Sequence, residues 1–355
     1  MSTKFRWLLV GLVLMVAVIG IASATERNKT FTFADITSMD IHTVCGDLKI
    51  CPGNNNQLVV ELKNDLDNPD FFDPKVESDQ GDLSIEDHFT CNHVNGEIHW
   101  TVYLPKSAEL RIIKCHSASG NMSFVGFKTE SIRTESASGN VLVDLVSGKE
   151  FEFSTASGSI MVKDCSAEFT KVSSASGDIS LSSIQSKELK LSTASGSITL
   201  KGCSADTPKI RSVSGCISIS GIRSKELDIS NASGSILVEE SKIGENGKIT
   251  SASGDIELDL SQLPSTGLEA STASSDLILK VPDFGENFSM TLVKRENMGR
   301  IRCPFEYTGK STYRDIGRAD YLMERYTVVR GKDGPDISLR SSSGAIIIET
   351  ATKGK

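Results

Sequence analysis

"STASGSITLKGCSA", Ser192 to Ala205, decides how this chain folds because the same phrase recurs: "SSASGDISLSSIQS" begins at Ser173 and "SNASGSILVEESKI" at Ser230. Glycines closing the SxSG phrase stand at Gly120, Gly139, Gly158, Gly177, Gly196, Gly215, Gly234 and Gly254, in six steps of 19 residues and one of 20. A fixed period of this size marks a repeat architecture. Two places after the glycines come Met122, Val141, Ile160, Ile179, Ile198, Ile217, Ile236 and Ile256, and four places after them come Phe124, Val143, Val162, Leu181, Leu200, Ile219, Val238 and Leu258. That alternation is a strand signal. Five places before the glycines the residues are again mostly bulky, Cys115, Thr134, Phe153, Val172, Leu191, Ile210, Ile229 and Ile249, which predicts a second strand. The small residues between the strands predict a tight corner. There glycine is expected to supply backbone angles closed to other residues, and serine hydroxyls to satisfy corner backbone groups.

One such unit cannot fold alone. It buries about six side chains at roughly 2 kcal/mol each, against about 1.5 kcal/mol of lost conformational entropy for every ordered residue. Stacked on its copies at the roughly 4.8 Å strand spacing, every strand gains parallel partners and every apolar position extends a column. The fold class predicted is therefore all-β, a single-chain parallel β-solenoid with coils of about 19 residues. Looser copies of the phrase at Gly46, Gly81, Gly96, Gly299 and Gly344, and at Ser275 without the glycine, extend the repeat over nearly the whole chain. The organisation expected is irregular N-terminal coils over 28–113, a regular body over 114–282, and C-terminal coils with a cap over 283–355. Nine places before successive glycines stand Glu130, Lys149, Glu168, Lys187, Asp206 and Lys225. Their alternating sign, part of a 38-residue super-repeat, predicts cross-coil ion pairs that favour one register.

Residues 1–24 are different. Lys4 and Arg6 precede an apolar run from Trp7 to Ile21, followed by Ala22, Ser23 and Ala24. This is the layout of a secretory signal peptide, and retained it would serve as an N-terminal membrane anchor. Either way the remainder is expected to be exported, to the cell surface, periplasm or extracellular space. The net charge of -8 and the lack of any basic tract exclude nucleic acid as the main partner. The repeat body also lacks catalytic ingredients. All five histidines (His42, His88, His93, His99, His116) precede Gly120, and the serines are explained as corner residues. Asp178, Asp255 and Asp276 follow corners and read as solvated rather than calcium-binding. No catalytic residue, cofactor or metal is assigned.

Eight cysteines in an exported chain raise the question of disulfides. Cys165 and Cys203 are two coils apart in an apolar column, beyond disulfide reach, and read as core fillers. Cys91 and Cys115 share a repeat position in the units of Gly96 and Gly120 and form the candidate disulfide. His88, His93, His99 and His116 lie near these two cysteines, yet no CxxC spacing supports zinc.

No Trp or Tyr occurs between Tyr103 and Tyr307, so the body lacks aromatic platforms for sugars. Aromatic and basic residues gather near the C-terminus instead. Tyr313, Arg314, Tyr321 and Arg325 are the candidate ligand-binding residues there, and the same segment is expected to cap the open end of the solenoid.

The SASGxIxL units, the GDLKI and GDLSI phrases, TVYLPKSAELRI at Thr101 to Ile112 and the closing DISLRSSSGAIII together resemble the prokaryotic putative-adhesin family, a domain of unknown function with a β-solenoid fold. The resemblance covers roughly Phe31 to Ile348. It implies attachment or envelope organisation and transfers no catalytic residue. The function expected is thus a non-catalytic scaffold that contacts a protein or glycan of the cell surface or envelope. A carbohydrate-active β-helix enzyme and a sensory or regulatory ectodomain bound to another envelope protein are the alternatives.

Overall fold

Each repeat unit places one strand in each of two sheets. The computed structural model describes residues 28–90, 95–106, 108, 110–315 and 321–350. Strands that follow a corner, such as Ile179–Ser182, Ile198–Lys201 and Ile217–Ser220, stack in parallel as sheet A. Strands that precede a corner, such as Ser166–Ser174, Gln185–Thr193 and Ser204–Ser212, stack in parallel as sheet B. The register is the repeat itself: Ile179 pairs with Ile198 and Ile198 with Ile217, all three buried. Inward columns from both sheets merge into one hydrophobic core running the length of the stack. The polar residues of each strand alternate outward, as the period of two requires.

The corner works differently from the expectation. Gly120, Gly139, Gly158, Gly177, Gly196, Gly215, Gly234 and Gly254 are not among the residues with positive φ. Glycine is needed because the coil beneath leaves no room for a side chain. A Cβ on Gly196 would lie 2.1 Å from the carbonyl oxygen of Gly177, and the same contact recurs at 1.8 Å for Gly177 over Gly158 and for Gly215 over Gly196. The hydroxyl role is as expected. Ser136, Thr155, Ser174, Thr193, Ser212 and Ser251 are buried, and each accepts a hydrogen bond from the N–H of the glycine three residues on, at 2.8 to 3.0 Å. At Asn231 the amide replaces the hydroxyl and donates to the carbonyls of Gly215 and Gly234. The residue after the glycine stitches coils together. Asp178 accepts from the Ser197 N–H at 2.8 Å, Asp255 from Asp276 at 3.0 Å, and Asp276 from Ala345 at 2.7 Å.

The charge column forms ion pairs of the expected kind. Lys149 reaches Glu130 at 2.6 Å, Lys187 reaches Glu168 at 3.2 Å and Lys225 reaches Asp206 at 3.1 Å. Cys165 and Cys203 are buried core fillers, and burial pushes the Cys165 thiol up to about 11.

At both ends the stacking order departs from the chain order. The Gly46 coil (Ser38–Thr43 and Asp47–Pro52) lies directly beneath the Gly120 coil (Leu110–Ser117 and Met122–Val125). The later strands Asp82–Glu86 and Ile98–Leu104 pair on the far side of the Gly46 coil. The coils of Gly96 and Gly120 are therefore not neighbours: Cys115 sits between Ile41 and Thr134 in its row. Cys91, its candidate disulfide partner, lies outside the described residues. The other end mirrors this exchange. Asp336–Ser341 inserts between Gly267–Thr272 and Phe288–Arg295, and Ile346–Thr350 between Leu277–Val281 and Ile301–Arg302.

Antiparallel strands close both ends. Asn28–Phe33 and Leu58–Asn64 extend sheet A, and Lys75–Asp79 extends sheet B, at the N-terminal end. GDLSI at Gly81 is thus a hairpin turn rather than a solenoid corner, with Gln80 and Gly81 both at positive φ. At the C-terminal end the hairpin Gly309–Asp315 and Tyr321–Arg330 continues sheet B from Phe288–Arg295. Among the described residues no helix is long and apolar enough to cross a membrane. The expected signal peptide or anchor over residues 1–24 lies outside the described residues.

Candidate functional site

The C-terminal hairpin has two faces with separate tasks. Neighbouring strand residues point to opposite sides, so Tyr313 and Arg325 share one side and Arg314 occupies the other. The inner side finishes the core. Phe284, Phe288 and Phe305 form a ring cluster with centroids 5.1 to 5.6 Å apart, and Arg330 lies over Phe305 at 4.6 Å. Beside it Lys294 meets Glu324 at 2.5 Å, Lys310 meets the same carboxylate at 3.4 Å, and Tyr326 donates to it at 3.2 Å. The Lys294 hydrogen bond holds the Glu324 carboxyl below the usual range, against the opposing effect of burial. Aromatic packing and a largely buried ion pair thus continue the core beneath the hairpin, whose outer strand Gly309–Asp315 pairs with Tyr321–Arg330.

The outer side forms a groove of about 500 Å³ against sheet B. The Arg325 guanidinium lies 4.8 Å from the centre of the Tyr313 ring. Arg340 lies in the same groove and is salt-bridged to Asp315. Ser271, Thr291 and Ser338 add hydroxyls, and Glu269 adds one carboxylate. The row Ser271, Arg340, Val293, Arg325 is set by strand pairing across four strands, which brings both arginines to one side of the sheet. Of the four candidate residues, Tyr313 and Arg325 come together. Tyr321 is exposed, carries Arg295 at 3.4 Å from its ring centre and does not line the groove. Arg314 is directed to the inner side by its register. Arg340, Glu269 and Ser338 escaped the sequence reading because strand insertion, not proximity in the chain, delivers them to the groove.

The histidines are also redistributed. His99 lies on sheet A near Glu97 (3.2 Å) and Asp47 (3.9 Å), while His116 stacks on His42 with ring centroids 4.7 Å apart. His93 lies outside the described residues. Nearby, the Asp87 carboxylate accepts hydrogen bonds from the Trp100 indole at 2.8 Å and the Val44 N–H at 3.0 Å, and burial raises its pKa against those bonds.

No curated protein matches the chain. Among solved structures it is similar to a "putative cell adhesion protein" from Clostridium sporogenes, at 8% identity and TM-score 0.20, over 91% of this chain and 99% of that one. It is similar also to a "putative adhesin" from Parabacteroides distasonis, at 15% identity and TM-score 0.39, over 91% and 96%. A third similar structure, a "putative lipid binding protein" from Parabacteroides distasonis, has 21% identity and TM-score 0.40, over 66% and 93%. The profile of Toastrack DUF4097 matches residues 36–187 and 168–300. Those matches run from the Gly46 coil through the regular body to Gly299, and on that evidence the chain belongs to the Toastrack DUF4097 family.

Proposed function

We propose that the chain is a non-catalytic, exported β-solenoid that attaches to a cell-surface or envelope component through its C-terminal groove. In this reading the 114–282 body is a stiff spacer whose last coil joins the 283–355 segment in forming the contact. The observation that carries it is the Tyr313 and Arg325 stack beside Arg340 and the hydroxyls of Ser271, Thr291 and Ser338. A sugar ring is recognised by an aromatic face, and a carboxylate or sulfate by a guanidinium. An acidic glycan therefore suits the groove better than a neutral one. The rigidity of the sheet favours binding without much ordering cost.

A glycan array probed with the purified chain tests this. The expected result is retention of carboxylated or sulfated glycans, weakened at least about tenfold, or 1.4 kcal/mol, by Tyr313→Ala or Arg325→Ala. Arg314→Ala, on the opposite side of the hairpin, leaves binding in place. Retention that survives both groove substitutions, or no retention of acidic glycans, would overturn the assignment. N-terminal sequencing of the exported product separates a free scaffold, beginning after Ala24, from an anchored one.

A further inference from the structure

At the N-terminal end of sheet B one outward row runs Glu86, His42, His116, Glu135 across four parallel strands. The His42 and His116 rings stack at 4.7 Å with 12° between their planes. Asp40, two residues before His42 and therefore on the same side of the strand, lies 3.0 Å from His42 Nε2. One ligand atom from each of Asp40, His42 and His116 lies within 4.8 Å of the others. The Nδ1 of His116 faces Glu135 at 3.6 Å, which leaves Nε2 available on the other edge of the ring. His42, His116 and Glu135 border a recess of about 520 Å³ that Asp87 also lines.

Two imidazoles with one carboxylate form a donor set of the zinc class, used where a coordination position stays open. Tetrahedral coordination at roughly 2.0 to 2.2 Å asks for ligand atoms about 3.3 to 3.6 Å apart. Asp40 and His42 already lie 3.0 Å apart and the whole set lies within 4.8 Å, so small turns of these exposed side chains are what a common ion would require. The surrounding charge favours a cation. Asp40, Glu86 and Glu135 supply three carboxylates against two positive groups, Lys114 and Arg133, which share Asp40's row, with Lys114 directly opposite Asp40 in the register. Arg133 divides its contacts between Glu135 at 3.3 Å and Glu152 at 3.6 Å.

We propose that Asp40, His42 and His116 bind a divalent transition-metal ion of the zinc class. Glu135 orients the His116 ring through Nδ1, and the remaining coordination position faces solvent. A carboxylate partner of this kind fixes the tautomer and the ring plane of a ligating histidine. The site is independent of the C-terminal groove and differs from the cysteine and histidine grouping suggested by sequence proximity, with which it shares only His116.

Calorimetric titration of the untagged, purified full chain with Zn²⁺, together with Co²⁺ absorbance, tests the proposal. The expected outcome is one ion per chain. His42→Gln or His116→Gln should weaken binding at least about tenfold, and Glu135→Gln by a smaller factor. His99→Gln should change nothing, and the Co²⁺ spectrum should lack a thiolate charge-transfer band. Both histidines point outward, so unchanged thermal melts of the metal-free variants will verify folding. Absence of saturable binding would overturn the proposal, as would binding unaltered in the double variant His42→Gln/His116→Gln. A thiolate band in the unaltered chain would overturn it without recourse to any variant.

Discussion

A Cβ placed on Gly196 would overlap the Gly177 carbonyl oxygen 2.1 Å away, whereas one placed on Gly202 meets nothing within 4 Å but sits at φ +60°. The two glycines answer to different physics, crowding in the first case and backbone handedness in the second. Gly196→Ala should cost about 3 kcal/mol by overpacking. Gly202→Ala should cost about 1 to 2 kcal/mol through its left-handed backbone. Denaturant unfolding of both variants checks the order. Thr134 makes a contrasting case. It occupies a core row between Cys115 and Phe153, and its buried hydroxyl has no hydrogen-bond partner among the described residues. Thr134→Val should therefore stabilise the protein by about 1 kcal/mol in the same assay. The sequence showed where these residues recur. It could not show why, because the atom that forbids a side chain at Gly196 belongs to a residue one coil earlier.

The elements that finish the stack were the least legible. Repeated strands announce their register through equivalent letters, but the hairpin Gly309–Asp315 and Tyr321–Arg330 has no copy to compare with. The C-terminal basic and aromatic cluster was visible, while the pairing that unites Tyr313 with Arg325 and turns Arg314 away required the antiparallel register. The inner side of this hairpin carries a pH dependence. Glu324 has a depressed pKa, chiefly through its hydrogen bond to Lys294. Its contribution to stability is thus present above the unfolded carboxyl pKa of about 4.3 and is lost as pH falls through the lower folded value. Melting temperatures measured from about pH 6 down to about pH 3, a range that brackets that carboxyl pKa, should fall at the acid end. In Lys294→Met the protein should be less stable at neutral pH and the acid limb shallower. An unchanged acid limb would show that the pair does not support the cap.

Taken whole, the molecule is a column of coils whose order follows the chain in the middle and is exchanged at each end. The repeat period made the stack, its register and its shared core legible, since Ile179, Ile198 and Ile217 do form one row. The exchange was not, because loose copies at Gly46, Gly96, Gly299 and Gly344 state membership of the stack without stating position. The consequence is mechanical. Asp336–Ser341 and Ile346–Thr350 lock the C-terminal end by entering between earlier coils. Removing 336–350 should uncover apolar rows on both neighbours and yield an aggregating protein. Excising one interior unit, 178–196, should rejoin equivalent corners and leave a shorter, cooperatively folding one. Light scattering and thermal melts separate these outcomes.

The stacking itself is open to a distance measurement. Ser123, Leu142, Met161, Ser180, Thr199, Ser218, Leu237 and Glu257 form one outward row of sheet A. Spin labels carried by an unnatural amino acid, leaving the native cysteines untouched, can be placed at Ser123 and at successive members of this row. Pulsed dipolar spectroscopy should then give separations that lengthen by about 4.8 Å for each coil, reaching roughly 19 Å at Thr199 and 34 Å at Glu257. Separations that level off, or that fail to rise steadily from one unit to the next, would contradict the stacked solenoid.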